Sequence, residues 1–85
     1  MTMNKKILED HDVFTTYDLG VAAALLSSGY KLLDMDRTNR KALFMFEQKA
    51  NIEKVASSFF TDELRVKARS YFDNVKALKS KLYSD

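Results

Sequence analysis

A glycine at position 29 separates a helix-forming segment from a strand-forming segment, and this boundary constrains the fold more than any other feature of the sequence. The residues before it, LGVAAALLSS, favour a helix. Glycine adopts the left-handed backbone conformation that ends helices at little cost, and Leu25 and Tyr30 have the spacing of the apolar contact that accompanies such an end. The sequence therefore predicts a helix that stops at Gly29.

The start of this helix is also specified locally. Thr15 and Asp18 have the spacing of a capping box, with Asp in place of the usual Glu. Phe14 and Leu19 occupy the two positions of a hydrophobic staple. We therefore expect the helix to begin at Thr15.

Two strands are predicted directly after the glycine. The segments YKLLDMD and KALFMFE are rich in bulky and aromatic residues, and a turn-forming RTNR stretch separates them. A two-residue loop at Thr38-Asn39 would place Leu33 opposite Phe44 on one face of the hairpin. It would also place Asp36 opposite Lys41 on the other face, where opposite charges stabilise the pair.

The second face of the predicted hairpin is mixed in character. It contains Tyr30, Leu32, Leu43 and Met45 beside two aspartates, which makes it too apolar for full solvation. A lone two-stranded hairpin is only marginally stable in water, so we expect the C-terminal helix, a second copy of the chain or another protein to cover this face. The four apolar residues are therefore a candidate protein interface.

The rest of the chain predicts two helices. Apolar residues recur with a helical period from Ile52 to Phe60, and Asn51 is a candidate N-cap. A longer helix follows, with one apolar stripe from Leu64 to Leu82. The order helix, strand, strand, helix, helix predicts an α+β fold in which the helices pack on one face of a two-stranded antiparallel hairpin.

The length of 85 residues allows one domain with a thin core. We expect residues 1–13, which are mostly polar, to form a flexible N-terminal arm and residues 14–85 to form the domain. Domains of this size without disulfides or metals often gain stability by associating, so a homodimer is one expected state.

Residue usage argues against catalysis. The chain has no cysteine and one histidine, which excludes a disulfide framework, a zinc finger, a thiol nucleophile and a multi-histidine metal cage. A nuclease-type metal site at Asp34 and Glu47 is disfavoured because the predicted register separates the two carboxylates by about 13 Å. We therefore expect a protein that is not an enzyme and has no cofactor, metal or small-molecule substrate.

The sequence also lacks the signals of membrane insertion and export. No run of 18 apolar residues is present, and the N-terminal residues contain no apolar core of a signal peptide. We therefore expect no membrane partner and a cytoplasmic location.

Positive charge is concentrated near the C-terminus. Residues 65–85 contain six Lys/Arg and two Asp/Glu, a net charge of +4. At 100° per residue, six cationic and aromatic residues of the predicted last helix fall within an arc of about 80° beside the apolar stripe. These residues are Arg65, Arg69, Phe72, Lys76, Lys79 and Tyr83.

This group is typical of nucleic-acid binding, because cations pair with phosphates and exposed aromatic rings stack on bases. The alternative is an ordinary amphipathic helix, in which the lysine stems cover the edge of the core and Phe72 widens the apolar stripe.

The motif layout resembles a known family. Thr-x-Asp-Leu, Ala-Ala-x-Leu and Ser-x-Gly-Tyr-Lys-Leu precede a hairpin that ends in Phe-x-Phe-Glu and a helix of the form Ala-Arg-Ser-Tyr-Phe-Asp-Asn-Val-Lys-Ala-Leu-Lys-Ser. This layout is similar to a family of short bacterial and phage domains of unknown function. The resemblance covers roughly residues 14–83 and implies a setting in phages or other mobile elements. It implies no activity and no functional residues.

Two functions are therefore expected as alternatives. The first is a small accessory protein of a phage or mobile element that binds nucleic acid through its C-terminal helix. The second is a protein–protein interaction module, either a homodimer or an inhibitor or adaptor of a host or phage protein, that uses the apolar outer face of the hairpin.

Overall fold

The computed structural model describes residues 12–37 and 41–83. In these residues three strands form one antiparallel sheet with the order β1-β3-β2, and three helices accompany it. The α+β prediction is confirmed, with one strand more than expected. Along the chain the elements are β1 (Val13–Thr16), α1 (Leu19–Ser27), β2 (Leu32–Asp36), β3 (Leu43–Glu47), α2 (Ile52–Phe60) and α3 (Ala68–Tyr83).

Strand β1 is the element that the sequence analysis did not predict. Its sequence, VFTT, consists of β-branched and aromatic residues that are typical of strands. It pairs with β3, where Val13 lies opposite Glu47 and Thr16 opposite Phe44. The predicted arm of residues 1–13 overlaps β1 at Val13, and its residues 1–11 lie outside the described part of the chain.

Helix α1 begins at Leu19 rather than at Thr15, because Asp18 is its N-cap. The Asp18 carboxylate accepts a hydrogen bond from the backbone N–H of Val21 at 2.9 Å, which satisfies one of the free donors of the first turn. An N-cap residue has extended backbone geometry, so the chain can run from a strand directly into the helix. The predicted capping box was therefore wrong about which residue is the cap.

The end of α1 is as predicted. Gly29 has a φ of 95°, in the left-handed region. The backbone N–H of Tyr30 donates to the Leu25 carbonyl at 3.0 Å, and that of Gly29 donates to the Leu26 carbonyl at 3.1 Å. These two bonds form a Schellman motif, which satisfies the last carbonyl groups of the helix.

The register between β2 and β3 differs from the predicted one. Met35 lies opposite Phe44, where the predicted register had placed Leu33. Leu32 lies opposite Phe46, and the register shifts between Leu32 and Asp34. At the shift, β2 has one more residue than β3. Leu32 therefore lies on the same face as Phe44, and the extra residue, Leu33, is 44% exposed. The predicted loop at residues 38–39 lies outside the described residues.

The core lies between the helices and one face of the sheet. Phe44 and Phe46 of β3 belong to it, together with Ile52 of α2 and Leu78 of α3. Helix α1 contributes five consecutive buried residues, Val21–Leu25. A helix that is apolar on all sides must be buried on all sides, and α1 accordingly packs against β1, α2 and α3.

The opposite face of the sheet contributes nothing to this core among the described residues. We call it the outer sheet face. Asp36 lies opposite Leu43 there, rather than opposite Lys41 as predicted. By the strand register, the outer sheet face consists of Val13, Thr15, Asp34, Asp36, Leu43, Met45 and Glu47.

Candidate functional site

Helix α3 presents most of the residues predicted to bind nucleic acid. Its apolar stripe packs against the core, and Leu78 on that stripe is buried. The Asn74 amide donates to the Ser27 hydroxyl of α1 at 3.0 Å, which adds a polar contact between the two helices. The exposed side next to the stripe, which we call the α3 flank, consists of Arg69, Phe72, Lys76, Lys79 and Tyr83.

Arg65, which was predicted to lie on the same helix, lies in the connection before it. Helix α3 begins at Ala68 because the chain turns sharply after α2. Asp62 has a positive φ of 66°, and the backbone N–H groups of Glu63 and Leu64 both donate to the Ser58 carbonyl. These contacts keep Arg65 out of α3, so the helical period that placed Arg65 beside Arg69 does not apply to it.

The first cation of the α3 flank forms an ion pair within the helix. The Arg69 guanidinium lies 3.5 Å from the Asp73 carboxylate, and the two side chains are 86% and 57% exposed. An exposed pair at this helical spacing contributes only about 0.3–0.5 kcal/mol. The pair therefore leaves Arg69 able to exchange its partner for a phosphate.

Lysine and aromatic side chains contact each other in the centre of the flank. The Lys76 ammonium lies 5.1 Å from the centroid of the Phe72 ring, a cation–π distance. Phe72 is nevertheless 56% exposed, and Tyr83 is 80% exposed. Lys76, Lys79 and Tyr83 also line a shallow open groove along α3. The flank thus combines positive charge with accessible ring faces.

A second cation–aromatic pair was missed by the sequence analysis. The Lys41 ammonium lies 5.6 Å from the ring centroid of Tyr17, which is exposed. Both residues line a groove of about 380 Å³ that also includes Phe44 and Leu82. Tyr17 precedes α1 and Lys41 precedes β3, so no helical or strand period relates them. The folded structure alone brings them together.

The four residues of the predicted protein interface are divided between two places. Tyr30 and Leu32 pack against the core, and the Tyr30 hydroxyl donates to the Ala50 carbonyl at 3.1 Å. Leu43 and Met45 lie on the outer sheet face and are half-buried. The shift in register after Leu32 is the physical reason for this division.

The described ranges contain neither a cluster of metal ligands nor a membrane-spanning helix. Within residues 12–37 and 41–83, no three acidic or histidine side chains are grouped closely enough to bind a metal ion. Over the same ranges, no helix has the length and apolar character needed to cross a bilayer.

The fold and its surface define a small α+β domain with a basic, aromatic flank on its last helix. A family model described as Domain of unknown function (DUF5659) matches residues 11–84, and the chain belongs to this family. The resemblance to a family of short domains of unknown function is thereby confirmed. No curated protein and no solved structure matched the chain.

Proposed function

We propose that this protein is a non-enzymatic accessory protein that binds nucleic acid through the α3 flank. The observation that supports the proposal is the exposure of Phe72 and Tyr83 beside Lys76 and Lys79, on a helix whose other side is already used in the core. A cytoplasmic setting in a phage or mobile element belongs to the same proposal, and its phage or mobile-element part rests on the family resemblance.

Stacking of a base on Phe72 would be strong enough to displace Lys76 from the ring. An exposed lysine–aromatic contact is worth about 0.5–1 kcal/mol. Stacking of a base on an aromatic side chain is worth about 1–3 kcal/mol. The released Lys76 ammonium would then be available to a neighbouring phosphate, so the two groups would act on adjacent parts of one nucleotide.

The charges of the flank would set the salt dependence of binding. Arg69, Lys76 and Lys79 are three cations on about three turns of helix. If each neutralises one phosphate of a single strand, the slope of log K against log salt is about −2, at about −0.7 per contact. A weak, strongly salt-dependent interaction is therefore expected.

The experiment is a titration of a fluorescent oligonucleotide, followed by anisotropy at several salt concentrations. The variant Lys76→Ala/Lys79→Ala should reduce the magnitude of the salt slope by about 1.4, from two lost contacts at about 0.7 each. The control variant Lys31→Ala/Lys54→Ala removes the same charge from exposed sites elsewhere and should keep the wild-type slope. Equal losses in both variants, or no binding by the wild type at low salt, would refute the proposal.

The alternative function, a protein–protein interaction module, has less support. Four residues were predicted to form its interface. Tyr30 and Leu32 pack against the core, so they do not form one surface with Leu43 and Met45. A homodimer or an adaptor would have to use the outer sheet face, which combines apolar and acidic residues.

A further inference from the structure

We propose that one strand of nucleic acid, with its bases unpaired, contacts both the α3 flank and a second groove around Tyr17. This inference rests on the proposed function and narrows its ligand to a single strand. The second groove, which we call the Tyr17 groove, has a volume of about 380 Å³. Tyr17 is 57% exposed, and the Lys41 ammonium lies 5.6 Å from the centroid of its ring.

The Tyr17 groove repeats the chemistry of the α3 flank. On the flank, Phe72 is 56% exposed and the Lys76 ammonium lies 5.1 Å from its ring centroid. Each of the two places therefore combines one open aromatic ring with one ammonium group at cation–π distance. A base can stack on the ring while the ammonium pairs with a phosphate. Two equivalent units of this kind fit a polymer that repeats a base and a phosphate.

The two grooves adjoin at the last turns of α3. Leu82 lines the Tyr17 groove, and Lys79 and Tyr83 line the groove along the flank. Lys79 and Leu82 are three residues apart on one helix, a spacing that puts their Cβ atoms about 5–6 Å from each other. A strand that leaves the flank past Lys79 therefore reaches the Tyr17 groove within the width of one side chain.

The charge along this path is positive. Among the described residues that line the two grooves, the cations are Lys41, Lys76 and Lys79, and the acid is Asp18. The Asp18 carboxylate accepts a hydrogen bond from the backbone N–H of Val21 at 2.9 Å. It lies at the N-terminus of α1, where the partial positive charge of the helix offsets its negative charge. The path thus favours a polyanion over a neutral or acidic protein segment.

The exposed rings favour a single strand over a duplex. In a duplex the base faces are covered by neighbouring bases, whereas unpaired bases can stack on aromatic side chains. A duplex would therefore use the lysines of the path and leave the rings of Tyr17 and Phe72 without a partner. Single strands of DNA and RNA both supply base faces and phosphates, so these contacts do not depend on the sugar.

The first experiment tests stacking on Tyr17 by fluorescence anisotropy. The probe is a labelled oligothymidine of about 12 nucleotides, within the range of single-strand site sizes. Tyr17→Ala should weaken its binding by at least about fivefold, the lower limit for loss of one stacked base. Tyr17→Phe keeps the ring and should bind like the wild type. The control Phe60→Ala removes an exposed ring outside both grooves and should also bind like the wild type.

The second experiment tests the charge of the Tyr17 groove and the preference for a single strand. Lys41→Gln should reduce the magnitude of the salt slope for the oligothymidine by about 0.7, and Lys31→Gln, at another exposed lysine, should leave it unchanged. With a DNA duplex of the same length, the wild type should bind more weakly and Tyr17→Ala should have no effect. Equal wild-type affinity for the two probes, or an equal loss with both in Tyr17→Ala, would overturn the inference.

The outcomes separate this inference from the proposed function on which it rests. Weaker binding by Lys76→Ala/Lys79→Ala, with none of the expected changes in Tyr17→Ala and Lys41→Gln, would overturn the inference alone. Absence of binding to both probes by the wild type would refute the inference and the proposed function together.

Native mass spectrometry tests whether one strand makes both contacts. The inference predicts one oligothymidine per protein chain. Two strands per chain, reduced to one by Tyr17→Ala, would show separate sites and overturn it. Circular dichroism melts establish that each variant is folded, and if Tyr17→Ala is not, the salt slope of Lys41→Gln decides the question.

Discussion

The contact between Gly20 of α1 and Phe59 of α2 makes a substitution of the glycine a sensitive test of how these helices pack. A Cβ atom at Gly20 would lie 2.7 Å from Cζ of the Phe59 ring and 3.1 Å from the Asp18 carboxylate. The ring must shift to admit this atom, and Phe60, edge-on, and Tyr71, 6.4 Å away centroid to centroid, lie on two of its sides. Gly20→Ala should therefore force a shift in the packing of α2.

The magnitude follows from two opposing terms. Replacing glycine by alanine within a helix stabilises it by about 0.5–1 kcal/mol. Overpacking a tight contact costs about 1–3 kcal/mol. The steric cost wins, and we expect Gly20→Ala to lower the free energy of unfolding by about 1 kcal/mol, or to lower Tm by about 4–8 °C for a domain of this size.

The assay is a double-mutant cycle measured by urea unfolding and circular dichroism. In a Phe59→Ala background the clash is absent, so Gly20→Ala should stabilise the protein by about 0.5–1 kcal/mol through helix propensity alone. The change of sign gives a coupling energy of about 1.5–2 kcal/mol, within the range seen for contacting residues. Additive effects of the two substitutions would refute the packing described for α1 and α2.

Three further predictions concern local features of the structure. In urea unfolding, Gly29→Ala should destabilise the protein by about 1–2 kcal/mol and Gly29→Asn by less, because the site has open space but a positive φ. Equal destabilisation by the two substitutions would contradict a backbone origin. Asp18→Ala should cost about 1 kcal/mol through loss of the N-cap bond, and Asp18→Ser should recover most of it in thermal melts. Phe72→Ala should leave the melting temperature nearly unchanged yet weaken oligonucleotide binding by about 1–3 kcal/mol in anisotropy titrations. Loss of stability without loss of binding would instead make Phe72 a packing residue.

The candidate site was predictable to the extent that it depends on one helix. The residues Arg69, Phe72, Lys76, Lys79 and Tyr83 share a face because of the 3.6-residue period, which requires no knowledge of the rest of the fold. Arg65 was predicted to lie on this helix because its spacing also fits the period. The backbone contacts after α2 exclude it, and their geometry depends on a left-handed residue, Asp62, that composition does not reveal.

The sheet was less predictable because strands depend on distant partners. Strand β1 has four residues, too few to be stable alone, and it exists because β3, some thirty residues later, supplies its hydrogen bonds. The register shift after Leu32 follows from fitting β2 to β3 and to the helices at the same time. A shift of one residue transfers side chains between faces, so this detail decided which apolar residues joined the core.

The sequence by itself determined the α+β class, the end of α1 at Gly29, and the basic and aromatic flank of α3, because each depends on contacts within a few residues along the chain. The tertiary structure alone decided the third strand and the division of Tyr30 and Leu32 from Leu43 and Met45. These features depend on hydrogen bonds and packing between segments far apart in sequence, and such long-range pairings leave little trace in local patterns.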